Sequence, residues 1–350
     1  MKKRSILLVF SSVLLSLSSL AQSYLIQVKD ASGKWGYSNV KGEMVIPAQY
    51  EHCDPFGENG LAVVVKDKVT SIINAKGVVV PSEVSGFTVL KAAFGFNVKG
   101  YENGLLAITT PSKKFGFLDG TGKIAIPLKY DLVTEFNGGY AVAKIGTNYF
   151  ILDTKGTETA VTTAGVLEIK HFSEGFAPVR TADKKYGFVN PKGEIAIASQ
   201  FNSVGYFFGG LAWAKTADGK AGYINTKGEW AIKPIYAGVG DFDPTSKVAR
   251  VKEVETWFYI DVAGNKTAVV DTETWGDFSG GLAKGKKGEK FGFYNTKGEW
   301  VIAAQFDGVR EFKNGYAAAK QGTLWGVIDT KGNWVAKPTF AGIKDAELIK

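Results

Sequence analysis

The residue types best suited to chemistry are scarce in this sequence. The chain has two histidines and one cysteine; His52 is adjacent to Cys53, and His171 follows 119 residues later. A structural zinc site needs four ligands, and a Cys–His nucleophile needs a third group to orient the histidine. Neighbouring residues of a strand also face opposite sides of its sheet. We therefore predict no metal site, no cofactor and no catalytic role for these three residues.

Carboxylates recur in Asn/Asp-x-x-Gly turns, as at Asp153, Asp261 and Asp329. A carboxylate at this position accepts backbone N–H bonds within its own turn. A glycosidase pair would require two such groups at a fixed separation, which the sequence does not establish. The chain also carries no phosphate-binding glycine loop, metalloprotease motif or serine-nucleophile motif. The sequence predicts a protein that is not an enzyme, and a hydrolase with a site in a central pocket is the remaining enzymatic alternative.

A lysine recurs at one turn position seven times. These residues are Lys41, Lys76, Lys155, Lys192, Lys227, Lys297 and Lys331. In a regular repeat their ammonium groups share one face, where summed Coulomb attraction would hold an anionic partner such as a phosphorylated or carboxylated envelope glycan. The alternative is a solvated turn copied by duplication, and Glu194, Glu229 and Glu299 would partly cancel the field. The candidate binding lysines are Lys41, Lys192, Lys227, Lys297 and Lys331.

Tryptophans are the second group of candidate binding residues, because exposed Trp is frequent in binding hot spots. Trp213 and Trp275 depart from the repeat consensus, and Trp230, Trp300 and Trp334 each follow a turn. The tryptophans that recur within the repeat core, Trp35, Trp257 and Trp325, are instead predicted to pack between units. An exposed row formed by the five candidates would favour glycan binding over protein binding.

These residues belong to an internal repeat. An aromatic-Gly motif and a closing glycine recur at Trp35-Gly36-Tyr37, Phe115-Gly116-Phe117, Tyr186-Gly187-Phe188, Ala221-Gly222-Tyr223, Phe291-Gly292-Phe293 and Trp325-Gly326-Val327. Three further copies replace the central glycine with Ser71, Phe150 or Phe258, which makes nine units. Successive closing glycines lie 34 to 37 residues apart, except for 45 residues between Gly77 and Gly122. A period of this length is typical of a solenoid, a propeller or another repeat array.

Two more signatures accompany each unit. An aromatic followed by Gly, a bulky apolar residue and Ala precedes it, as in Phe207 with Gly210-Leu211-Ala212. A β-branched pair, often closed by Pro and an aromatic, follows it, as in Val45-Ile46-Pro47 before Tyr50. Together the three signatures resemble the WG-repeat family over about residues 24 to 348. The resemblance implies an exported or surface-associated repeat protein and assigns no activity.

Each unit is predicted to form four short strands. Strand A is the Gly-Leu-Ala segment, B the Trp-Gly-Tyr segment, C the Val-Ile-Pro segment, and D runs from the next aromatic to the following Phe. The expected fold is all-β and β-propeller-like, with about nine units of about 35 residues and small strand A innermost. The alternative is an open β-solenoid of hairpins. Because the chain begins in a strand A and ends in a strand D, we expect no blade to combine strands from both ends.

The N-terminus indicates export. Three cationic residues, Lys2, Lys3 and Arg4, precede short apolar runs, and the segment ends in small residues. This order is typical of a cleaved signal peptide, here over 1–21. The apolar core is too short and too broken by serines for a spanning helix of about 20 residues. The mature chain, 22–350, is expected in the periplasm, outside the cell or at its surface, without an integral membrane segment.

The charge of the mature chain is modest. The full chain has 42 Lys+Arg and 34 Asp+Glu, so loss of Lys2, Lys3 and Arg4 leaves 39 against 34, a net charge of +5. This balance argues against a nucleic-acid-binding protein. The favoured function is an interaction scaffold for an unknown protein or envelope component, and the alternative is glycan binding.

An insertion near 82–103 interrupts the period and contains Phe94-Gly95-Phe96. A long departure from a repeat often carries function, because the scaffold does not require it. The alternative is an extra hairpin that completes a degenerate unit.

Overall fold

The computed structural model describes residues 23–90, 100–268 and 271–349. In these residues the regular secondary structure consists of β-strands joined by turns. The strands form nine antiparallel sheets, of which eight have four strands and one has five. This is a nine-bladed β-propeller, which confirms the predicted all-β repeat fold. The predicted signal peptide, 1–21, lies outside the described residues.

The blades follow the chain in order. Blade 1 contains β1 (Ser23–Lys29), β2 (Trp35–Ser38), β3 (Met44–Tyr50) and the strand β37 (Gly342–Ile349). Blade 2 contains β4 (His52–Cys53), β5 (Leu61–Lys66), β6 (Val69–Asn74) and β7 (Val79–Val80). Blade 3 contains β8 (Thr88–Val89), β9 (Tyr101–Glu102), β10 (Leu105–Thr109), β11 (Phe115–Leu118) and β12 (Ile124–Tyr130). Blade 4 contains β13 (Leu132–Val133), β14 (Tyr140–Ile145), β15 (Asn148–Asp153) and β16 (Glu158–Ala160). Blade 5 contains β17 (Val166–Ile169), β18 (Ala177–Thr181), β19 (Tyr186–Val189) and β20 (Ile195–Phe201). Blade 6 contains β21 (Ser203–Val204), β22 (Leu211–Lys215), β23 (Ala221–Asn225) and β24 (Trp230–Tyr236). Blade 7 contains β25 (Gly238–Val239), β26 (Val248–Glu253), β27 (Thr256–Asp261) and β28 (Lys266–Thr267). Blade 8 contains β29 (Thr274–Ser279), β30 (Leu282–Lys287), β31 (Lys290–Tyr294) and β32 (Trp300–Phe306). Blade 9 contains β33 (Gly308–Val309), β34 (Tyr316–Gln321), β35 (Leu324–Asp329) and β36 (Trp334–Phe340).

Strand D belongs to the blade of the unit that follows it, so each sheet has the order D-A-B-C. The predicted meander A-B-C-D is therefore wrong, and strand A is not the innermost strand, because it lies inside the sheet. In six units one residue separates strand C from strand D, as Asp307 does between β32 and β33. So short a link leaves no room for a hairpin, whereas a glycine turn folds strand D onto the next strand A.

The ring is closed by a blade made from both ends of the chain. Strand β37 pairs with β1 from Lys29↔Gly342 to Ser23↔Ile349. The expectation that no blade would combine the two ends is wrong, because the last strand D has no following unit and pairs with the first strand A. This pairing excludes the open solenoid.

The central glycine is required by a bulge in strand C. In blade 8, Phe291 and Phe293 pair with Phe306 and Ile302, so the backbone of strand C folds over Gly292. A Cβ on Gly292 would lie 2.7 Å from the carbonyl carbon of Ala303 and closer still to the oxygen of Ile302. All six central glycines face the strand C backbone in this way. Where Ser71, Phe150 or Phe258 replaces the glycine, strand C has only two or three residues and no register shift.

The closing glycine serves the turn and the contact between blades. All nine closing glycines have φ between 74° and 83°, which an L side chain adopts only with strain. A Cβ on Gly228 would lie 2.8 Å from the Cγ2 atom of Ile197 in the preceding blade, and Gly332 stands in the same relation to Ile302. The closing glycine therefore lets each B–C turn approach the preceding strand C.

Aromatic pairs form the core between blades. In six blades the Phe before the turn to strand A packs on the aromatic that follows the central position in the preceding blade; for example, the ring centroids of Phe293 and Phe312 are 4.6 Å apart. Phe188 and Phe207 repeat this pair at 4.8 Å, and all four side chains are fully buried. Burial of one such ring stabilises the fold by roughly 1.5–3 kcal/mol.

The link between strands C and D clamps neighbouring blades. Asp307 accepts a bond from Lys290 Nζ at 2.5 Å in blade 8 and from the Gly322 N–H at 2.6 Å in blade 9. The lysine, followed by the backbone N–H of Gly322, lowers the pKa of Asp307 below its ordinary value. Asp131 makes the equivalent pair of bonds with Lys114 and the Gly146 N–H. These clamps hold the A–B turns in a fixed order around the ring.

The insertion falls within strand D of blade 3. Thr88 and Val89 pair with strand A in the register of other strands D, and Tyr101 pairs with Leu106. Residues 91–99 lie between them and outside the described residues, as does Phe94-Gly95-Phe96. In the described part, Phe87 is buried in the core shared by blades 2 and 3.

Candidate functional site: two faces of unlike charge

The propeller presents two faces. Successive connections in an antiparallel sheet alternate between its ends, so every A–B turn lies on one side of the ring. The B–C turns and the D–A connections lie on the other side. We call these sides the A–B face and the B–C face.

The turn lysines lie on the B–C face with fixed backbones and exposed side chains. The backbone N–H of each lysine donates to the side-chain oxygen of the Asn or Asp two residues earlier, as Lys227 does to Asn225 at 2.9 Å. In the part of the chain that the structure describes, none of the seven ammonium groups makes an ion pair.

The B–C turns nevertheless carry no net charge. Their segments are 39–43, 74–78, 119–123, 153–157, 190–194, 225–229, 261–265, 295–299 and 329–333. Together they contain eight lysines and eight carboxylates. Six of the carboxylates accept a bond from the Asn of the same turn, as Glu229 does from Asn225 at 2.9 Å. The lysines of these turns are therefore balanced by an equal number of acids in the same set of turns, so their long-range attraction for an anion is weak.

Trp213 lies on strand A of blade 6 and Trp275 on strand D of blade 8, and each contacts blade 7. The indole of Trp213 is half-buried over Gly205, whose missing side chain makes room for the ring. Its N–H donates to Asp241 of blade 7. Trp275 packs on Tyr259 with 5.3 Å between ring centroids, and its carbonyl oxygen accepts a bond from Arg250. Both tryptophans thus join consecutive blades.

The other three tryptophans open strands C. Trp300 packs with Trp275 against the core cluster that contains Tyr259 and Tyr294. Trp230 is 36% exposed and packs edge-on against Phe201 of the preceding blade. Trp334 packs on Phe306 in the same way, whereas Trp300 packs on Tyr294 of its own blade. The five candidates do not form one exposed row.

Cys53 is buried and His52 is exposed, on opposite sides of β4. Burial raises the pKa of the Cys53 thiol to about 12, so the thiol is not an activated nucleophile. The His52 ring lies 2.8 Å from Asp54. Within residues 23–90, 100–268 and 271–349, no group of three or more His, Cys, Asp or Glu is arranged to hold a metal ion. No helix of the described chain is long and apolar enough to span a membrane.

Titratable residues from successive blades meet on the B–C face. Each lies one residue before the Phe that packs between blades, as His171 does before Phe172. His171 stacks on Tyr206 at 4.0 Å and lies 3.8 Å from Glu135. Asp241 accepts bonds from Trp213 and from the Tyr206 backbone N–H. Its side chain reaches solvent, yet the surrounding protein desolvates the carboxylate and raises its pKa to about 6, with repulsion from Asp277 as a smaller cause.

Further around the ring this position forms ion pairs between blades. Arg250 Nε lies 3.1 Å from Asp277, and Lys284 lies 3.5 Å from Glu311. Asp345 closes the series with Lys313 at 3.3 Å. Including these residues, the D–A connections (54–60, 100–104, 134–139, 170–175, 205–210, 240–247, 276–281 and 310–315) and the equivalent residues 344–346 of β37 contain ten acids and five cations. The B–C face as a whole is thus net negative.

The A–B face carries the excess of positive charge. Its nine hairpin segments are 29–34, 65–69, 109–114, 144–148, 180–185, 215–220, 252–256, 286–290 and 320–324. They contain 17 cations and seven acids. The C–D links on this face add six acids, Glu51, Glu83, Asp131, Asp271, Glu273 and Asp307, which leaves a net charge of +4. The A–B face and the B–C face are therefore of opposite sign.

Several cations of the A–B face lie over aromatic rings of strand B. Lys144 Nζ lies 4.9 Å from the centre of the Tyr149 ring, and Lys29 lies 5.6 Å from that of Trp35. Lys286 and Lys320 are placed in the same way over Phe291 and Trp325. No single sequence motif marks this face, because these lysines share no turn motif. Aligning the units on the closing glycine and counting charge by position would have found it.

Comparison with known proteins agrees with the repeat and the fold. The family model described as "WG containing repeat" matches residues 35–69, 115–149, 186–220, 222–257, 291–323 and 325–346, which together span more than half of the chain. These matches begin in the six units that keep the central glycine. No curated protein matches the chain in sequence.

Among solved structures, "Crystal structure of the eukaryotic initiation factor" matches with a TM-score of 0.62 and 12% identity, covering 94% of this chain and 98% of that one. At this identity the likeness shows the fold alone. BamB from Moraxella catarrhalis matches with a TM-score of 0.41 and 12% identity, covering 80% of this chain and 94% of that one.

Proposed function

Because the chain belongs to the WG-repeat family and closes into a ring, we propose that it is a non-enzymatic exported scaffold for a protein or cell-envelope component. Its partner binds across one of the two extended faces. The observation that carries the proposal is the charge separation between faces built from nine equivalent sets of turns.

The faces are preformed. Clamps such as Lys290–Asp307–Gly322 and Lys114–Asp131–Gly146 join the A–B turns of neighbouring blades. On the other side, the Glu174 carboxylate accepts the N–H groups of Gly209 and Gly210 from the next blade at 2.7 and 2.8 Å. A partner that binds a rigid face avoids much of the entropy cost of ordering it.

Export is proposed from the sequence of the first 21 residues, with the cationic segment at Lys2, Lys3 and Arg4. The titratable groups of the ring favour a structural role over catalysis. Asp277, Glu311 and Asp345 are each paired with a cation, so inter-blade attraction accounts for them.

The test is a pull-down from the cell envelope with mature protein (Gln22–Lys350), beside a binding screen on purified glycans. A specific protein partner retained after salt washing, or saturable glycan binding, supports the scaffold. Absence of both refutes it. Glycan hydrolysis that is lost in a folded Asp241→Asn variant would establish the hydrolase alternative in its place.

A further inference from the structure

The charge of the A–B face selects a partner of opposite charge. We propose that this face binds a linear acidic glycan, a sugar polymer with carboxylate or phosphate groups along its length. The inference rests on the proposed scaffold function and adds to it the binding face and the chemical class of the partner.

Many cations of this face remain available for a ligand. In the described chain, Lys68, Lys113, Lys184, Lys215 and Lys220 make no ion pair. Asp183 and Asp218, which share turns with three of these lysines, accept local hydrogen bonds. Asp183, for example, accepts bonds from Thr181 Oγ1 at 2.7 Å and from the Lys185 N–H at 3.1 Å. In the B–C turns eight carboxylates balance eight lysines, whereas on the A–B face the cations exceed the acids by four.

The cations over aromatic rings are spread around the ring. Lys29, Lys144, Lys286 and Lys320 belong to blades 1, 4, 8 and 9. The contact with the ring restricts each ammonium group before a ligand arrives, so less side-chain entropy is lost on binding. Trp35, Phe291 and Trp325 are half-buried and offer an apolar surface next to the charge, whereas Tyr149 is buried.

This arrangement favours a flexible polymer over a folded acidic protein. The cations occupy the rim of a nine-bladed ring rather than one compact patch, so a globular partner would need a matching ring of acids. A linear polyanion meets successive cations by following the rim, and its sugar rings present apolar C–H faces to the aromatics. Attraction of this kind between exposed charges is screened within about 10 Å at 0.1 M salt.

The proposal is tested with alginate, a polyuronate, and with neutral dextran as the uncharged control. One variant replaces Lys144, Lys184, Lys286 and Lys320 by Gln on the A–B face. The matched variant replaces Lys192, Lys227, Lys297 and Lys331 by Gln on the B–C face. Both remove four positive charges; the A–B variant also removes three contacts between a lysine and an aromatic ring.

We expect alginate to bind the mature protein, and dextran not to bind. The A–B variant should weaken alginate binding by about tenfold or more, since exposed ionic contacts contribute a few tenths of a kcal/mol each or more. The B–C variant should change alginate binding by less than about twofold. Salt at 0.5 M should abolish the binding of alginate to the mature protein. Melting temperatures verify that both variants are folded. If the A–B variant is unfolded, the double variant Lys184→Gln with Lys220→Gln removes charge without disturbing an aromatic contact.

Three results would overturn the inference. Equal loss in both variants would mean that overall charge alone attracts the glycan, and a larger loss in the B–C variant would restore the turn lysines as the site. Binding of poly-L-glutamate as tight as that of alginate would assign the face to acidic polypeptides. None of these results would refute the scaffold, which fails only if the envelope pull-down and the glycan screen are both empty.

Discussion

Replacing Gly292 with Ala tests the account of the repeat core most directly. The added Cβ would lie 2.7 Å from the carbonyl carbon and oxygen of Ala303 and closer to the oxygen of Ile302. All three atoms belong to the backbone of strand C, which cannot turn aside as a flexible side chain can. The bulge between Ile302 and Phe306 must therefore shift or open.

The magnitude follows from two opposing effects. Overpacking of a tight site costs about 1–3 kcal/mol, and contact with backbone places this site at the upper end. Loss of glycine flexibility in the unfolded chain returns about 0.4–1 kcal/mol. The net loss of unfolding free energy is about 2 kcal/mol for Gly292→Ala, and it is larger for Gly292→Val.

The assay is thermal unfolding of the mature protein, followed by circular dichroism. At about 2 °C per kcal/mol for a chain of this size, Gly292→Ala should lower the melting temperature by about 4 °C. The matched control is Ser71→Ala, which occupies the central position of a unit whose strand C has no bulge. That control should melt within about 1 °C of the parent protein. Equal melting temperatures for Gly292→Ala and Ser71→Ala would refute the argument.

Two further predictions concern ring closure and pH. Deleting residues 342–350 removes β37 and leaves the edge of β1 unpaired. We therefore expect a lower melting temperature and concentration-dependent association in size-exclusion chromatography. A truncated protein that stays monomeric with the parent melting temperature would contradict ring closure by β37. Burial raises the pKa of Asp241 from 3.8 to about 6, so the folded state favours the protonated form and loses stability as pH rises from about 4 to about 6. Asp241→Asn keeps an acceptor for Trp213. Its melting temperature should exceed that of the parent protein at pH 7.5 and equal it at pH 3.5. Equal melting temperatures of variant and parent at both pH values would show that the carboxylate is not destabilised.

The sequence predicts the unit well, because local chemistry determines it. Glycines such as Gly228 mark turns of positive φ, and an aromatic-Gly-aromatic motif marks strand B. The partner of strand D could not be derived in the same way. It depends on the single residue between strands C and D, such as Asp131, and on the last strand meeting the first. A repeat pattern contains the contacts within a unit, but the phase of the blades is set by the ends of the chain.

The candidate site was less predictable than the fold. The turn lysines are conspicuous because they share a motif, yet neighbouring acids such as Glu229 balance them. Lys144 and Lys286 lie in segments of different sequence, and only the sheet register places them on one face. Pairing across strands therefore defines the basic face, and single motifs do not reveal it.

The pairing of β1 with β37 also orders events in time. Ser23 and Ile349 are 326 residues apart in the chain and face each other in one sheet. The other D–A, A–B and B–C pairings join segments within a few dozen residues, so those blades can form as the chain is made. The edge of β1 stays open until residues 342–349 have been synthesised. Through that interval it is a place where a strand from another molecule can add, and ring closure requires the last strand of the chain.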